Sequence, residues 1–317
     1  MSTNLHSQAA GAPLRRSVSI LIPVFNNDCT PLVEDLVAQA EKLQGVAWEV
    51  CVAEDGSTDA HTVAANSVIA QWPHCRHLVR EANVGRARIR NLLGREARHE
   101  WVLFIDSHMR IGKADFIATY LSAPDGDVVD GDYTVVADAQ QWSDSLRYRY
   151  EYACEWRHTP EARRKQPYAS FHTANFLIRR ALFLAHPFEE SFSEYGYEDV
   201  LFGASLAQHG IRIQHIDNPV EFRYFESNSR FMEKTEAAMR SLSRHQALLQ
   251  GQSRLLKMYR QLSRCQMHRI VALLFKWRGQ RWKEQLVSGE APSLRLFNLY
   301  RLGYLCQWSL KGDAKKP

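Results

Sequence analysis

Residues 17–24 read SVSILIPV, an apolar run without a charged side chain. Such a run predicts a buried β-strand, and Pro23 predicts its end because proline cannot donate a hydrogen bond to a sheet ladder. An amphipathic helix is predicted directly after it, since Thr30 can cap a helix and Pro31 suits the first helical position. Its apolar side chains recur on one face: Leu32, Val33, Leu36, Val37, Ala40 and Leu43.

The alternation of strand and helix continues to residue 105. Further strands are predicted at 48–53, 76–79 and 101–105, with helices after residue 59 and at 86–97. This alternation indicates βαβ units and an α/β fold with a doubly wound, mostly parallel sheet. Ligands bind such sheets at the carboxyl ends of the strands. We therefore expect four positions that follow predicted strands to line one crevice: Pro23, Asp55, Asn83 and Asp106.

The distribution of charge divides the chain in two. Residues 1–229 hold 22 basic and 30 acidic side chains, whereas residues 230–317 hold 18 basic and 5 acidic ones, within a total formal charge of +5. The pattern is helical from Arg230 almost to the last residue, while residues 127–136 predict a strand pair or one extended strand. The sequence therefore predicts a disordered polar tail at 1–16, an α/β domain at 17–228 and a basic helical region at 229–317.

Composition also limits the class of protein and its compartment. With 317 residues, 45% of them hydrophobic, a sizeable core is expected and intrinsic disorder is excluded. The six cysteines are scattered without a metal-binding spacing, which favours a reduced, cytoplasmic protein. Residues 1–16 lack the apolar segment of a signal peptide, and no stretch approaches the ~20 apolar residues of a membrane span.

Asp106 and His108 form a candidate metal site. They follow the predicted strand 101–105 at positions i and i+2, so both side chains can reach an ion at the sheet edge. A carboxylate and an imidazole form a donor pair of intermediate softness, which favours Mn²⁺ over Mg²⁺. Because an imidazole must be neutral to bind a metal, we expect metal affinity to fall as the pH drops through about 6.5. The alternative is that Asp106 only caps a turn or helix.

Glu198 and Asp199 form a second candidate site. They follow the loop EYGY at 194–197, where a glycine between two tyrosines indicates a shaped loop and favours a functional role. The alternative is structural, because acidic residues in the first turn of a helix interact favourably with the helix dipole.

Five short blocks follow one another along the chain: SILIPVFN at 19–26, EDGSTD at 54–59, NVGRARIRN at 83–91, FIDSH at 104–108 and YGYED at 195–199. In this order they resemble glycosyltransferase family 2, whose members are inverting enzymes of the GT-A fold. The resemblance covers roughly residues 17–228, and FHTANF at 171–176 and DNPV at 217–220 are similar to a bacterial branch of that family. It implies a Rossmann-like, mostly parallel central sheet flanked by helices, here with a helical C-terminal extension.

The resemblance implies how a nucleotide-sugar donor would bind. Pro23 and Val24 would lie against the nucleoside. Asp55 would accept a hydrogen bond from the N–H of the base ring, which suits uracil and so a UDP-sugar. Three further positions would surround the ribose and the diphosphate: Asn83, Arg86 and Arg90.

The resemblance also implies a metal site and a base. Asp106 and His108 occupy the two ends of the DxD motif and would hold a divalent cation, with Mn²⁺ preferred and Mg²⁺ as the alternative. Asp199 matches the carboxylate that deprotonates the acceptor hydroxyl, and Glu198 lies beside it. The first departure from the family pattern is His108 in place of a second Asp. Polypeptide N-acetylgalactosaminyltransferases, which are distant relatives, also use an Asp-x-His pair with manganese.

The second departure concerns the third metal ligand. The bacterial branch often has a histidine shortly after the Asn-Pro-Val element, whereas this chain continues EFRY at 221–224. His215, on the preceding predicted strand, is the candidate substitute, and a purely structural histidine is the alternative.

The predicted function is an inverting, metal-dependent hexosyl- or N-acetylhexosaminyltransferase. It would move a sugar from a nucleotide sugar to a hydroxyl of a glycan or lipid-linked glycan. A sugar nucleotidyltransferase is disfavoured because it needs an early glycine-rich triphosphate loop, whereas the first strand runs into PVFN at 23–26. A non-catalytic, glycosyltransferase-like protein that binds a nucleotide sugar or a glycan is the other alternative.

The basic region at 230–317 has two interpretations. Basic helices with Trp and Leu on one side bind anionic membranes, which would place the protein peripherally on the inner face of the plasma membrane. The alternative is a helical extension that packs on the catalytic domain or on a second copy in a homo-oligomer. Nucleic-acid binding is not expected, because no recognised reading motif accompanies the charge.

Overall fold

The computed structural model describes residues 15–124, 126–192 and 194–313. Most of the predicted tail at 1–16 therefore lies outside the described residues. Arg15 is buried, and its guanidinium donates hydrogen bonds to the backbone carbonyls of Tyr120 and Ala123 at 3.1 and 2.6 Å. Packing in the described chain thus begins before the first strand.

Among the described residues, nine strands form two sheets. They are β1 (Ser17–Val24), β2 (Ala47–Glu54), β3 (Cys75–Val79), β4 (Trp101–Ile105), β5 (Val128–Asp130), β6 (Tyr133–Val135), β7 (Asn175–Arg179), β8 (Ile213–His215) and β9 (Val220–Phe222). The central sheet has the order β3-β2-β1-β4-β7-β5-β8. All its neighbours are parallel except that β7 runs antiparallel to β4 and to β5. The predicted α/β fold with a mostly parallel sheet is confirmed.

Twelve α-helices accompany the strands in the described residues. The first eight are α1 (Thr30–Ala40), α2 (Ala60–Ser67), α3 (Arg86–Glu96), α4 (Phe116–Ser122), α5 (Leu146–Cys154), α6 (Pro160–Arg164), α7 (Arg180–Ala185) and α8 (Glu198–Gln208). The last four are α9 (Asn228–Arg244), α10 (Arg254–Arg264), α11 (Met267–Ser288) and α12 (Leu294–Asp313).

The first strand sets the layers of the fold. Alternate side chains of a strand point to opposite faces, so Ile20 and Ile22 pack toward α1 and α4 while Leu21 packs toward α3, α7 and α8. Pro23 lies inside β1 rather than ending it. This position is tolerated because the pairing of β1 with β4 stops at Leu21, so no hydrogen bond to β4 is lost at the proline.

The segment 127–136 forms two strands that do not pair with each other. β5 belongs to the central sheet, whereas β6 pairs in parallel with β9 in a separate two-stranded sheet. Gly131 and Asp132 separate them, and Asp132 has a left-handed φ of 59°. The backbone therefore turns out of the central sheet at this point, and β6 pairs with β9 instead.

The helices α9 to α12 form a region that packs on the α/β part. One apolar cluster joins Leu242, Leu256 and Leu305 to Phe192 and Tyr197 of the loop before α8. A second cluster joins α9, α11 and α12 to α5. The predicted helical C-terminal extension is thus present and packs on the α/β part. Among the described helices, none combines the length and the apolar character that crossing a bilayer requires.

Candidate active site

A cleft of about 1140 Å³ opens at the carboxyl ends of the central strands. Nine of the eleven side chains predicted for the site line it: Pro23, Val24, Asp55, Asn83, Arg86, Arg90, Asp106, His108 and Asp199. Glu198 and His215 lie outside it. A smaller cavity of about 550 Å³ lies at the opposite ends of β2 and β3, where ligands of such sheets are not expected.

The turn after β2 is locked to the loop before α3. The two carboxylate oxygens of Asp55 accept hydrogen bonds from the backbone N–H groups of Val84 and Gly85, at 2.9 and 3.0 Å. Burial raises the pKa of Asp55 despite these bonds. Gly56 has a φ of 65°, and a Cβ there would stand 2.2 Å from the backbone nitrogen of Asn83. Only glycine therefore allows the two loops to approach this closely.

Arg90 is buried between two carboxylates. Its Nη2 lies 2.6 Å from Oδ1 of Asp106, and its Nη1 lies 3.8 Å from Oε1 of Glu198. Arg86 adds a second cation, with Nη1 at 3.7 Å from the same oxygen of Glu198. Burial alone would raise the pKa of Asp106, but the charges of Arg90 and Arg86 outweigh it and hold that pKa below its usual value. Asp106 is therefore ionised at neutral pH.

His108 stands beside Asp106 as a neutral imidazole. Burial lowers the pKa of His108 to about 4, and the neighbouring cations Arg86 and Lys234 add to this against the opposing charge of Asp106. Its ring meets Phe222 edge-on at 5.2 Å between centroids. The predicted fall of metal affinity near pH 6.5 rests on the ordinary pKa of histidine. Because the pKa of His108 is lower, its imidazole stays neutral and able to bind a metal well below pH 6.5.

The two adjacent carboxylates at the start of α8 have different surroundings. Glu198 is 4% exposed, accepts a hydrogen bond from the N–H of Gly196 at 3.1 Å and faces Arg86 and Arg90. Burial, followed by the charge of Asp199, raises the pKa of Glu198. Asp199 is half-buried and lines the cleft. The geometry therefore leaves Asp199, and not Glu198, able to meet a ligand.

The loop that carries Asp199 has an unusual backbone. Gly196 and Tyr197 both have left-handed φ values, of 99° and 72°. Helix α9 braces this loop, because Arg240 and Arg244 pair with Glu194 at 3.1 and 2.6 Å. The left-handed turn aims the first residues of α8 at the cleft, and a non-glycine residue in that conformation is typical of a site whose surroundings impose it.

Asp132, His158 and His172 form a cluster that the sequence does not predict. Nδ1 of His158 lies 2.8 Å and Nδ1 of His172 lies 3.2 Å from the Asp132 carboxylate, and His172 lines the cleft. Burial would lower the pKa of His172, but Asp132 raises it to about 9, with a smaller contribution from Asp199. The only signal in the sequence was His172 in the block FHTANF. These three groups could hold a metal, but Arg163 lies 3.5 Å from Asp132 and opposes a cation there.

His215 is held away from the cleft. Its Nδ1 lies 3.0 Å from Nη1 of Arg163 and 2.9 Å from the Asp130 carboxylate, and its Nε2 lies 2.9 Å from the carbonyl oxygen of Pro167. Both ring nitrogens therefore already have partners in the protein. The structure does not support the candidate role of His215 as a metal ligand, and its contacts are those of a structural histidine.

The basic region also contributes to the cleft. Arg230 and Lys234, on α9, line it together with Arg147 on α5. Tyr195 stands between the two parts of the chain, because Arg86 and Lys234 lie over its ring at 4.7 and 5.7 Å from the centroid. The boundary near residue 229 therefore separates regions of different charge, but residues on both sides of it line the cleft.

The sequence model of the family described as "Glycosyl transferase family 2" matches residues 19–185. The chain belongs to this family. It is a glycosyltransferase, and the match covers every element from β1 to α7, whereas Asp199 lies beyond it. No curated protein matches the chain.

Several solved structures share the fold of this chain. The mannosyltransferase PcManGT from Pyrobaculum calidifontis, in complex with GDP-Man and Mn²⁺, is 16% identical, with a TM-score of 0.51 over 96% of this chain and 88% of that one. S. aureus TarS is 19% identical, with a TM-score of 0.50 over 93% of this chain and 53% of that one. Residues 1–349 of TarS give 17% identity and a TM-score of 0.49 over 95% and 92%. At this identity the likeness to the first two structures shows the fold alone.

Proposed function

We propose that this glycosyltransferase moves a hexosyl or N-acetylhexosaminyl group from a UDP-sugar to a hydroxyl of a glycan or lipid-linked glycan, with inversion. One observation carries the proposal. Asp199, Arg86, Asp106 and His108 all line the same cleft. A carboxylate and cationic groups in one cleft are what deprotonation of an acceptor hydroxyl and departure of a diphosphate require.

The nucleotide would occupy the side of the cleft formed by β1, β2 and the loop before α3. Pro23 and Val24 line this side and would contact the nucleoside. Asp55 holds the loop 83–85 through one lone pair of each oxygen and keeps further acceptor capacity for the N–H of a uracil ring. Asn83 and Arg86, at the start of α3, would face the ribose and the diphosphate.

Asp106 and His108 fit a divalent cation. Oδ2 of Asp106 accepts no hydrogen bond from any described residue, while Oδ1 is taken by Arg90. His108 is neutral, as a metal ligand must be. An anionic oxygen with an imidazole nitrogen suits Mn²⁺, which the similar mannosyltransferase binds, and Mg²⁺ is the alternative. The bound cation would offset negative charge on the leaving diphosphate.

Asp199 would accept the proton of the acceptor hydroxyl. It is the carboxylate of the left-handed loop that faces the cleft, and α9 and α12 fix that loop from behind. Glu198 would act as a positioning residue that holds Arg86 and Arg90 toward the donor side. The attack of the acceptor oxygen from the side opposite the nucleotide would invert the configuration at the anomeric carbon.

A comparison of Asp199→Asn with Glu198→Gln tests this assignment. Asp199→Asn should slow UDP release from a panel of UDP-sugars ~10²–10⁴-fold, because the proton acceptor is lost. The same variant should still be stabilised by UDP and Mn²⁺ in a thermal-shift measurement, since the donor side is intact. Glu198→Gln should instead weaken UDP binding and lower the melting temperature, because it removes a buried partner of two arginines.

Three results would contradict the proposal. Near-normal turnover by Asp199→Asn would remove Asp199 as the base. Binding of UDP-sugars by the unmodified chain without any turnover would favour the non-catalytic alternative. A transfer product that retains the anomeric configuration of the donor, measured by NMR, would exclude the inverting mechanism.

A further inference from the structure

Helix α11 presents an apolar stripe to solvent. Five large apolar side chains of this helix are between 42% and 75% exposed: Met267, Ile270, Leu273, Leu274 and Trp277. Their spacing of three and four residues places them on one face. The opposite face, with Ala272, Phe275 and Gly279, is buried against the neighbouring helices. Single exposed apolar residues are ordinary, whereas a continuous stripe marks an interaction surface.

The stripe lies in a segment without negative charge. No Asp or Glu occurs between Glu236 and Glu284, and the same segment contains eleven Arg and Lys residues. Six of these cations are exposed on α10, on α11 or at the turn between them: Arg254, Lys257, Arg264, Arg269, Lys276 and Arg281. Within the residues that the structure describes, none of the six forms an ion pair, although the cations of α9 and Lys283 do.

The stripe is held by a close contact behind it. Phe275 on α11 packs against Gly303 of α12, where an added Cβ would stand 2.4 Å from the Phe275 ring. Arg278 stacks on Trp277 with its guanidinium 4.5 Å from the ring centroid. The helix therefore cannot rotate its apolar side inward without losing this packing, and the exposed stripe is a fixed feature of the fold.

We propose that the apolar stripe of α11, together with the six exposed cations of α10 and α11, forms a docking surface for an anionic lipid bilayer. A bilayer matches both the apolar stripe and the cations, because the apolar side chains enter the acyl boundary while Arg and Lys contact the headgroups. A second copy of the chain would bring equal cations face to face in a two-fold contact. The cytoplasmic leaflet supplies the negative surface potential that this surface matches.

The full-length chain can be tested by sedimentation with vesicles of phosphatidylcholine alone or with 30% phosphatidylglycerol. We expect binding to the anionic vesicles only, and loss of binding at high salt. Leu273→Glu should weaken binding at least tenfold, whereas Val79→Glu, an equally exposed apolar position in β3, should not change it. Lys276→Gln should weaken it about fivefold, from a contribution of about 1 kcal/mol per cation, and the exposed control Arg212→Gln should not.

Thermal shift with UDP and Mn²⁺, measured on the same variants, separates this proposal from the proposed function. Leu273→Glu should leave the UDP-induced shift unchanged, so loss of vesicle binding reports on the docking surface alone. Equal binding to neutral and anionic vesicles, or no binding to either, would overturn the proposal. A dimer in light scattering that Leu273→Glu converts to a monomer would assign the stripe to a second copy instead.

Discussion

Cations have opposite surroundings in the cleft and on helix α11. In the cleft, Arg90 is 1% exposed and lies within 4 Å of Asp106 and Glu198. On α11, Arg269 and Lys276 are exposed and meet no carboxylate among the described residues. Burying a charge is unfavourable unless a partner is buried with it, whereas an exposed charge needs none. The same residue type therefore stabilises a site in one region and remains available to an external surface in the other.

The two regions are nevertheless joined at the candidate base. Arg240 of α9 bonds both Glu194 and the hydroxyl of Tyr304 on α12, at 3.1 Å each. Tyr197, next to Glu198, belongs to the apolar cluster of the C-terminal helices. One side of that helical region thus shapes the cleft, while the far side of α11 faces solvent. Net charge alone does not distinguish these two sides.

Removing one arginine from each region gives the largest expected difference. Arg90→Met should lower the free energy of unfolding by about 3–5 kcal/mol, because it leaves the buried carboxylates of Asp106 and Glu198 without a main partner. Arg269→Met should change it by less than about 0.5 kcal/mol, since the side chain is exposed. Urea denaturation of both variants measures the contrast.

Arg90→Lys keeps the charge but not the forked geometry of the guanidinium. Its loss of unfolding free energy should therefore lie between those of Arg90→Met and Arg269→Met. If Arg90→Met were as stable as the unmodified chain, burial of the charge pair would not be what holds the cleft. Equal losses from Arg90→Met and Arg269→Met would remove the distinction between the regions.

Two glycines with left-handed backbone provide a second contrast. Gly56, next to the cleft residue Asp55, has a φ of 65° and a backbone neighbour 2.2 Å from the position of an added Cβ. Gly251, between α9 and α10, has a φ of 84° and no atom within 4 Å of that position. Gly251→Ala should lower the free energy of unfolding by about 1–2 kcal/mol through backbone strain alone. Gly56→Ala should lower it further, to about 3 kcal/mol, and should also weaken UDP binding.

Both effects can be measured by denaturation and by thermal shift with UDP. An equal loss of stability at the two positions would mean that the loops at 54–56 and 82–85 can move apart without cost. Weaker UDP binding in Gly251→Ala would show that backbone strain far from the cleft also affects the cleft. The two glycines would then not differ in their effect on UDP binding.

The sequence predicts the first half of the fold because its signals are local. The apolar run at 17–24 and the alternation to residue 105 define the parallel sheet, and the sheet brings Pro23, Asp55 and Asp106 to one edge. The family resemblance assigns the role of base to Asp199, but the local sequence alone does not predict which of the two adjacent carboxylates, Glu198 or Asp199, faces the cleft. That depends on the left-handed turn at 196–197, which contacts from α9 and α12 stabilise.

Side-chain clusters from distant segments are the other part that sequence does not predict. Asp132, His158 and His172 come from three segments and meet only in the folded chain. His215 is the candidate substitute for the histidine that is missing after the DNPV block, with a structural role as the alternative, and the buried Arg163 and Asp130 contact its ring. Pairings of this kind depend on tertiary distances, which no spacing along the chain encodes.

The smallest expected effect separates two histidines within the cleft itself. Asp132 raises the pKa of His172 to about 9, above its unfolded value near 6.5, whereas burial lowers the pKa of His108 to about 4. The raised pKa of His172 stabilises the fold fully below pH 6.5, and this contribution is lost as the pH rises through 9. The lowered pKa of His108 has the opposite sign, because below pH 6.5 the unfolded chain takes up a proton that the folded chain does not.

Ring resonances in NMR, recorded with chelator to exclude metals, should therefore show His172 protonated at pH 8 and His108 neutral at pH 5.5. His172→Gln should flatten the alkaline slope of the unfolding free energy, and His108→Gln the acidic slope, relative to the unmodified chain. The change at His172 will be small, because its side chain is 35% exposed and water screens the pair with Asp132. Titration of both rings near pH 6.5 would mean that water reaches His108 and His172 freely. The cleft would then differ from the exposed surface of α11 less than the burial of its side chains indicates.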